Sequence, residues 1–163
     1  ENGIAVHPMI ALEIRNQFHR LPSTSYDWKK VFGKMKKMSL RLYHATVRHW
    51  DDEERVAEIF APDEYPLPEP FYYSMDDWSA IGLMKNLKRL TISQICVEDF
   101  SFLTQCESLE QLSLYNTNFS DCRLLLQISK LKNADLRLCK LEHTEVLDSA
   151  SFTYQFGDPV QEL

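Results

Sequence analysis

The sequence predicts an α/β solenoid: a short array of stacked coils with a parallel sheet on the concave face and a mainly helical N-terminal cap. Three observations carry this reading. Apolar residues recur in columns 22 residues apart, the apolar spacing inside each unit switches from three to two, and the non-repetitive first part of the chain has apolar residues at helical spacing.

The columns are dense. Leu87, Leu109 and Leu131 keep the step, as do Leu90, Leu112 and Ala134, then Ile92, Leu114 and Leu136, then Val97, Phe119 and Leu141. Phe100, Cys122 and Thr144 follow, with Leu103, Leu125 and Leu147 behind them, and Asp77, Asp99 and Asp121 align as well. One column reaches back to Met84, and Trp78 and Ile81 keep step with Phe100 and Leu103, so the array begins near Tyr73 with a half unit that lacks its strand. It runs to at least Leu147.

Within a unit, Leu109, Leu112 and Leu114 pass from a spacing of three to a spacing of two, which marks entry into a strand. Phe100, Leu103, Cys106 and Leu109 recur every third residue, which suits a 3₁₀ return. A single coil cannot bury its own apolar edge, so neighbours stack, with strands about 4.8 Å apart. Each fully buried Leu, Ile or Phe contributes roughly 1.5–3 kcal/mol. The columns therefore dominate stability.

This pattern resembles the leucine-rich repeats of the 22-residue kind, found in bacterial internalin-like proteins and in a eukaryotic phosphatase-regulator family. The resemblance covers a little under half of the chain. It implies a short leucine-rich-repeat array that holds another protein. Where that family places a ladder of asparagines, this chain has Ile95, Thr117 and Cys139, so the corner must satisfy its backbone groups in another way.

Residues 1–70 are expected to form the cap and residues 71–163 the solenoid with a C-terminal capping segment, all in one compact unit. A first helix starts at Pro8 and shows Ile10, Ile14, Phe18 and Leu21 on one face, ending at Leu21 and Pro22. A second begins near Asp27 as capping carboxylate, with Trp28, Val31, Phe32, Met35 and Met38 at helical spacing and Gly33 as its weak point. From Ser39 to Val47 the pattern is ambiguous, Leu40 and Leu42 alternating as in a strand. Asp51, Asp52, Glu53 and Glu54 suit the first turn of a third helix. Four prolines, Pro62, Pro66, Pro68 and Pro70, make Ala61 to Pro70 an extended connector, and Ser151 to Phe156 supplies an irregular last strand.

With 44% apolar and 26% charged residues in a chain of 163, the composition is that of one globular domain rather than a disordered chain. No apolar run approaches the roughly 18 residues a membrane helix needs, and Glu1 to Ile4 lacks a basic region leading into an apolar one. Cys96, Cys106, Cys122 and Cys139 include no CxxC pair and lie in the periodic array, which reads as small apolar side chains in a reducing, cytoplasmic setting.

Chemistry is sparse. Only Gly3, Gly33, Gly82 and Gly157 are present, so no phosphate-cradling loop or dinucleotide fingerprint exists. His7, His19, His44, His49 and His143 have no spacing suited to one metal, and Cys139, the most tempting nucleophile, lies in the corner column. We expect no catalytic residue, no metal, no cofactor, no small-molecule substrate and no membrane partner. A cleft lined by His44, His49 and Asp51 to Glu54 would be the sign of an enzyme.

Charge is polarised. Lys29, Lys30, Lys34, Lys36, Lys37, Arg41 and Arg48 form a stretch without an acid, whereas residues 51–69 carry eight acids and one base, Arg55. Pairing between the two blocks is the plain reading; contact of the basic block with an acidic surface or a nucleic acid is the sharper one. A net charge of −6 opposes general nucleic-acid binding.

Residues between the buried columns of each strand point to the opposite, concave face. They are Arg89, Thr91 and Ser93, then Gln111, Ser113 and Tyr115, then Asn133, Asp135 and Arg137, with Gln94, Asn116 and Leu138 at the rim. These nine side chains are the expected protein-binding surface, three strands being about 10 Å across. A bacterial immunity protein that blocks a toxin is one concrete form of such a module; an adaptor domain of a larger protein is the other.

Overall fold

A computed structural model describes residues 6–41, 73–75 and 78–157. Five strands form one parallel sheet: β1 (Lys37–Arg41), β3 (Arg89–Ser93), β5 (Gln111–Ser113), β6 (Asn133–Asp135) and β7 (Thr153–Gln155), in that spatial order. A second pair, β2 (Tyr73–Met75) with β4 (Ile95–Val97), lies after the corner. The register joins Leu90 to Leu112 and Leu112 to Ala134, so the 22-residue columns are the stacking contacts.

The helix α1 (Pro8–Phe18) has proline in its first turn, with His7 as cap accepting the Met9 N–H at 3.2 Å. It stops at His19, in the left-handed region at φ 59°, two residues before the predicted boundary, and Leu21 turns out exposed rather than on the buried face. The cap of α2 (Ser25–Lys34) is Thr24, not Asp27 as expected: its Oγ1 accepts the Asp27 N–H at 3.1 Å and donates to the Asp27 carboxylate at 2.8 Å.

The larger correction concerns Met38. Helix α2 ends at Lys34, and Met38 is a strand residue of β1, paired with Leu90, while Leu40 pairs with Ile92. Phe32, Met35, Met38 and Leu40 are all buried and repeat the spacing of Met84, Leu87, Leu90 and Ile92. The first coil therefore does have its strand. Partners in β1 and β3 are 52 residues apart in sequence, against 22 for β2 and β4, so this coil carries an insertion of 30 residues between Arg41 and Tyr73. The third helix expected from Asp51 and the proline connector fall in that insertion, outside the described residues.

The core is continuous from cap to solenoid, running from Ile10, Ile14, Phe32 and Met35 through Leu87, Leu109 and Leu131 to Leu147 and Phe152. Two amides tie the cap down: Gln17 Nε2 donates to the Lys37 carbonyl at 3.1 Å, and Asn86 Nδ2 to the Gly33 carbonyl at 2.8 Å.

The returns are 3₁₀ segments, Phe100–Gln105, Cys122–Gln127 and Thr144–Ser149. The aspartate column caps them. Asp99 accepts the Ser101 N–H at 2.8 Å and Asp121 the Arg123 N–H at 3.0 Å, while His143 in the last coil has positive φ and no capping bond.

The ladder column of Ile95, Thr117 and Cys139 holds no asparagine, but the corner is satisfied between coils. The N–H groups of Gln94, Asn116 and Leu138, all three at positive φ, donate to the carbonyls of Tyr115, Arg137 and Gly157. Thr117 Oγ1 donates to the Leu114 carbonyl at 3.0 Å, and Cys139 Sγ reaches the same oxygen at 2.8 Å. A hydroxyl and a thiol thus share the place of the amide ladder.

Candidate functional site on the concave sheet

Strand alternation sends Leu90, Ile92, Leu112, Leu114, Ala134 and Leu136 into the core and leaves all nine expected residues on the opposite face, half-buried or exposed. The register adds residues that the sequence reading left out. Lys37, Ser39 and Arg41 of β1 stand beside Arg89, Thr91 and Ser93, and Thr153 and Gln155 of β7 stand beside Asn133 and Asp135. The signal for β1 was the three-then-two spacing of Met35, Met38 and Leu40, which a helical reading of the same residues concealed. With five strands the sheet is about 19 Å across rather than the 10 Å expected from three.

Two shallow depressions occupy this face. A trough of about 440 Å³ runs across β3, β5, β6 and β7, with Arg89, Gln111, Asn133 and Gln155 in its lining. A smaller cleft of about 280 Å³ lies nearer the corner, between Arg41, Thr91, Ser93, Ser113, Tyr115, Asp135 and Arg137.

A bonded cluster of Asp135, Arg137 and Tyr115 lies in the smaller cleft. Arg137 grips Asp135 in a forked pair, Nε to Oδ1 at 2.9 Å and Nη2 to Oδ2 at 2.8 Å, and the Arg137 N–H adds a bond to Oδ1 at 3.2 Å. The guanidinium carbon lies 5.6 Å from the centre of the Tyr115 ring. Asp135 therefore holds the cation against the aromatic face, where ring and charge attract. The bonds from Arg137 keep the Asp135 carboxyl below the usual carboxylate range, despite partial burial. Toward the other end, Thr153 and Asn133 join side chain to side chain.

A flank of ion pairs borders the face. Glu110 sits between Lys132 at 2.7 Å and Lys88 at 3.4 Å, and the lysines lower its pKa. Lys85 and Glu107 pair at 3.0 Å. Each joins adjacent coils, so the flank repeats with the solenoid.

Cys139 is half-buried at the corner, its Sγ held by Thr117 and the Leu114 carbonyl; burial raises its pKa and disfavours the thiolate a nucleophile needs. Burial pushes the Cys106 thiol up to about 11, and Cys106 and Cys122 are core residues, whereas Cys96 and Cys139 are only partly buried. Among the described residues no group of His, Cys, Asp and Glu is arranged to hold a metal, and no helix is long and apolar enough to cross a membrane. His44, His49, Asp51 to Glu54 and the acidic block lie outside the described residues.

No family model and no curated protein matches this sequence. Among solved structures, the chain is similar to internalin C2 of Listeria monocytogenes, with 12% identity and a TM-score of 0.50 over 93% of this chain and 65% of that one. It also matches an internalin (inlF) of the same organism, at 13% identity and a TM-score of 0.39, over 92% of this chain and 55% of that one. The chain thus spans less than two thirds of the length of either internalin. Taken with the parallel sheet and the 22-residue register, the fold is that of an internalin-like leucine-rich-repeat solenoid.

Proposed function

We propose that this chain is a non-enzymatic protein-binding module that engages its partner through the concave sheet. The observation that carries the reading is the Tyr115, Arg137 and Asp135 cluster. An aromatic ring and a forked arginine, the side-chain types enriched at binding hot spots, are held in place on a solvent-facing sheet of polar side chains. Pre-ordering reduces the entropy lost on association. Nothing in the cluster supplies a nucleophile with an adjacent base, which supports holding rather than turnover.

The test is to capture and identify proteins with the wild-type chain, then repeat the measurement with Tyr115→Ala and Arg137→Glu. Loss of binding by both folded variants is expected. Unchanged binding by both would remove the concave face from consideration.

Toxin blocking by an immunity protein is one form of this reading, and an adaptor role within a longer chain is the other. They separate on gene context and reading frame: a toxin encoded next door and co-purified with the chain supports the first, and a coding frame extending well beyond residues 1–163 supports the second.

A further inference from the structure

The concave face is not uniform in charge. Its β1 and β3 side carries Lys37, Arg41 and Arg89, and among the described residues these three form no ion pair. Elsewhere on the sheet and its flank the coils pair cations with carboxylates, as in Lys85 with Glu107, Glu110 with both Lys88 and Lys132, and Arg137 with Asp135.

The register makes the contrast sharper. Lys37 stands directly across from Arg89 on the neighbouring strand. Like charges at such positions repel and destabilise a sheet, and a single acidic residue at either place would relieve it. Arg41 faces Ser93 four residues further along β1 and forms one wall of the smaller cleft, with Ser113 in the same lining. Guanidinium, ammonium and hydroxyl groups can all donate to an anion.

We infer that this end of the concave face receives an acidic, extended segment of the partner protein, with carboxylates placed on the Lys37 and Arg89 pair and on Arg41. This deepens the concave-face reading and rests on it. Lys37 and Arg41 are four residues apart on one strand, about 13 Å, which is the distance between same-face side chains i and i+4 of an extended peptide. The whole chain's net charge of −6 disfavours long-range attraction of a long polyanion such as nucleic acid, which leaves a short acidic segment as the better occupant.

The experiment is an amide-resolved NMR titration of the full chain with a hexaglutamate peptide, using hexalysine and a short random DNA duplex as comparison probes. Hexaglutamate should shift the amides of Lys37 to Arg41 and Arg89 to Ser93, saturably and less strongly as salt rises. Lys37→Glu and Arg41→Gln should each weaken this binding, the charge reversal by roughly tenfold. Lys37→Glu should also melt at a higher temperature, because it turns a repulsion with Arg89 into an attraction; Arg41→Gln tests the site without changing that pair.

Unchanged hexaglutamate binding by both variants, or shifts confined to Lys29 to Lys34 on α2, would overturn the inference. Tighter binding of the DNA duplex than of hexaglutamate at the same residues would overturn it in favour of a nucleic-acid surface. The captured partner separates the two levels. If Tyr115→Ala and Arg137→Glu lose it while Lys37→Glu and Arg41→Gln keep it, the concave face stands and the acidic segment fails. If none of the four loses it, the concave-face reading itself fails.

Discussion

Asn118 completes Val97 as a neighbouring strand would. Its Oδ1 accepts the Val97 N–H at 2.8 Å and its Nδ2 donates to the Val97 carbonyl at 2.8 Å, so one side chain supplies both halves of a missing backbone pairing between coils. Val97 is fully buried, and its two backbone groups have no water to turn to. Asn118→Ala should therefore cost about 1–3 kcal/mol, the penalty for stranding buried polar groups. Asn118→Asp keeps an acceptor but loses the donor to the carbonyl, and should also destabilise. Urea unfolding of the three proteins checks this, and destabilisation by neither variant would refute it.

Leu138 is the corner residue with the poorest fit to its backbone. It holds φ at 62°, where a leucine side chain crowds the following carbonyl, and it is about one third exposed. Asparagine tolerates this region, as Asn116 shows one coil earlier at φ 50°. Leu138→Asn should raise stability by about 1 kcal/mol with the Leu138 to Gly157 backbone bond kept. A lower unfolding midpoint would show that the side chain packs usefully.

Gly33 lies in the last turn of α2, exposed, with open space where a Cβ would stand. Its carbonyl anchors Asn86, a bond that does not depend on the absence of a side chain. Gly33→Ala should stabilise the chain by roughly 0.5–1 kcal/mol through helix propensity. Calorimetry on the two proteins decides it.

The Asp121 carboxyl is held at about 2, below its ordinary 3.8, chiefly by side-chain hydrogen bonds from Arg123 and then by the Arg123 N–H that it caps. A carboxylate with a depressed folded-state pKa favours folding above its unfolded pKa, and that contribution fades as pH falls through the folded value. Stability should thus decline between about pH 4 and pH 2, and the decline should be shallower in Asp121→Asn, measured as urea midpoint against pH. An identical slope in the two proteins would show that the pairing with Arg123 persists in the unfolded chain or carries no weight.

The concave face was largely legible in advance because Arg89, Tyr115 and Arg137 belong to a period, and a residue's place in the period sets the direction of its side chain. What the pattern does not encode is whom a side chain meets. The pairing of Arg137 with Asp135, two residues back on the same face, and its approach to Tyr115 on the neighbouring coil depend on side-chain rotamers. The capping role of Asp99 and Asp121 was likewise hidden, since alignment of a column does not say which N–H it reaches.

By itself the sequence determined the repeat: stacking equal coils forces every buried column to recur at one step, so apolar periodicity, 3₁₀ returns and the polar face are local properties written in each unit. Tertiary structure alone decided the first strand. Phe32, Met35, Met38 and Leu40 satisfy helical and strand spacings about equally, and the 30-residue insertion after Arg41 breaks the period that would have resolved them. The choice is made by hydrogen bonds from Lys37–Arg41 to Arg89–Ser93, a contact between distant residues that no local pattern contains. The same pairing sets Lys37 against Arg89, and so gives the concave face its basic end.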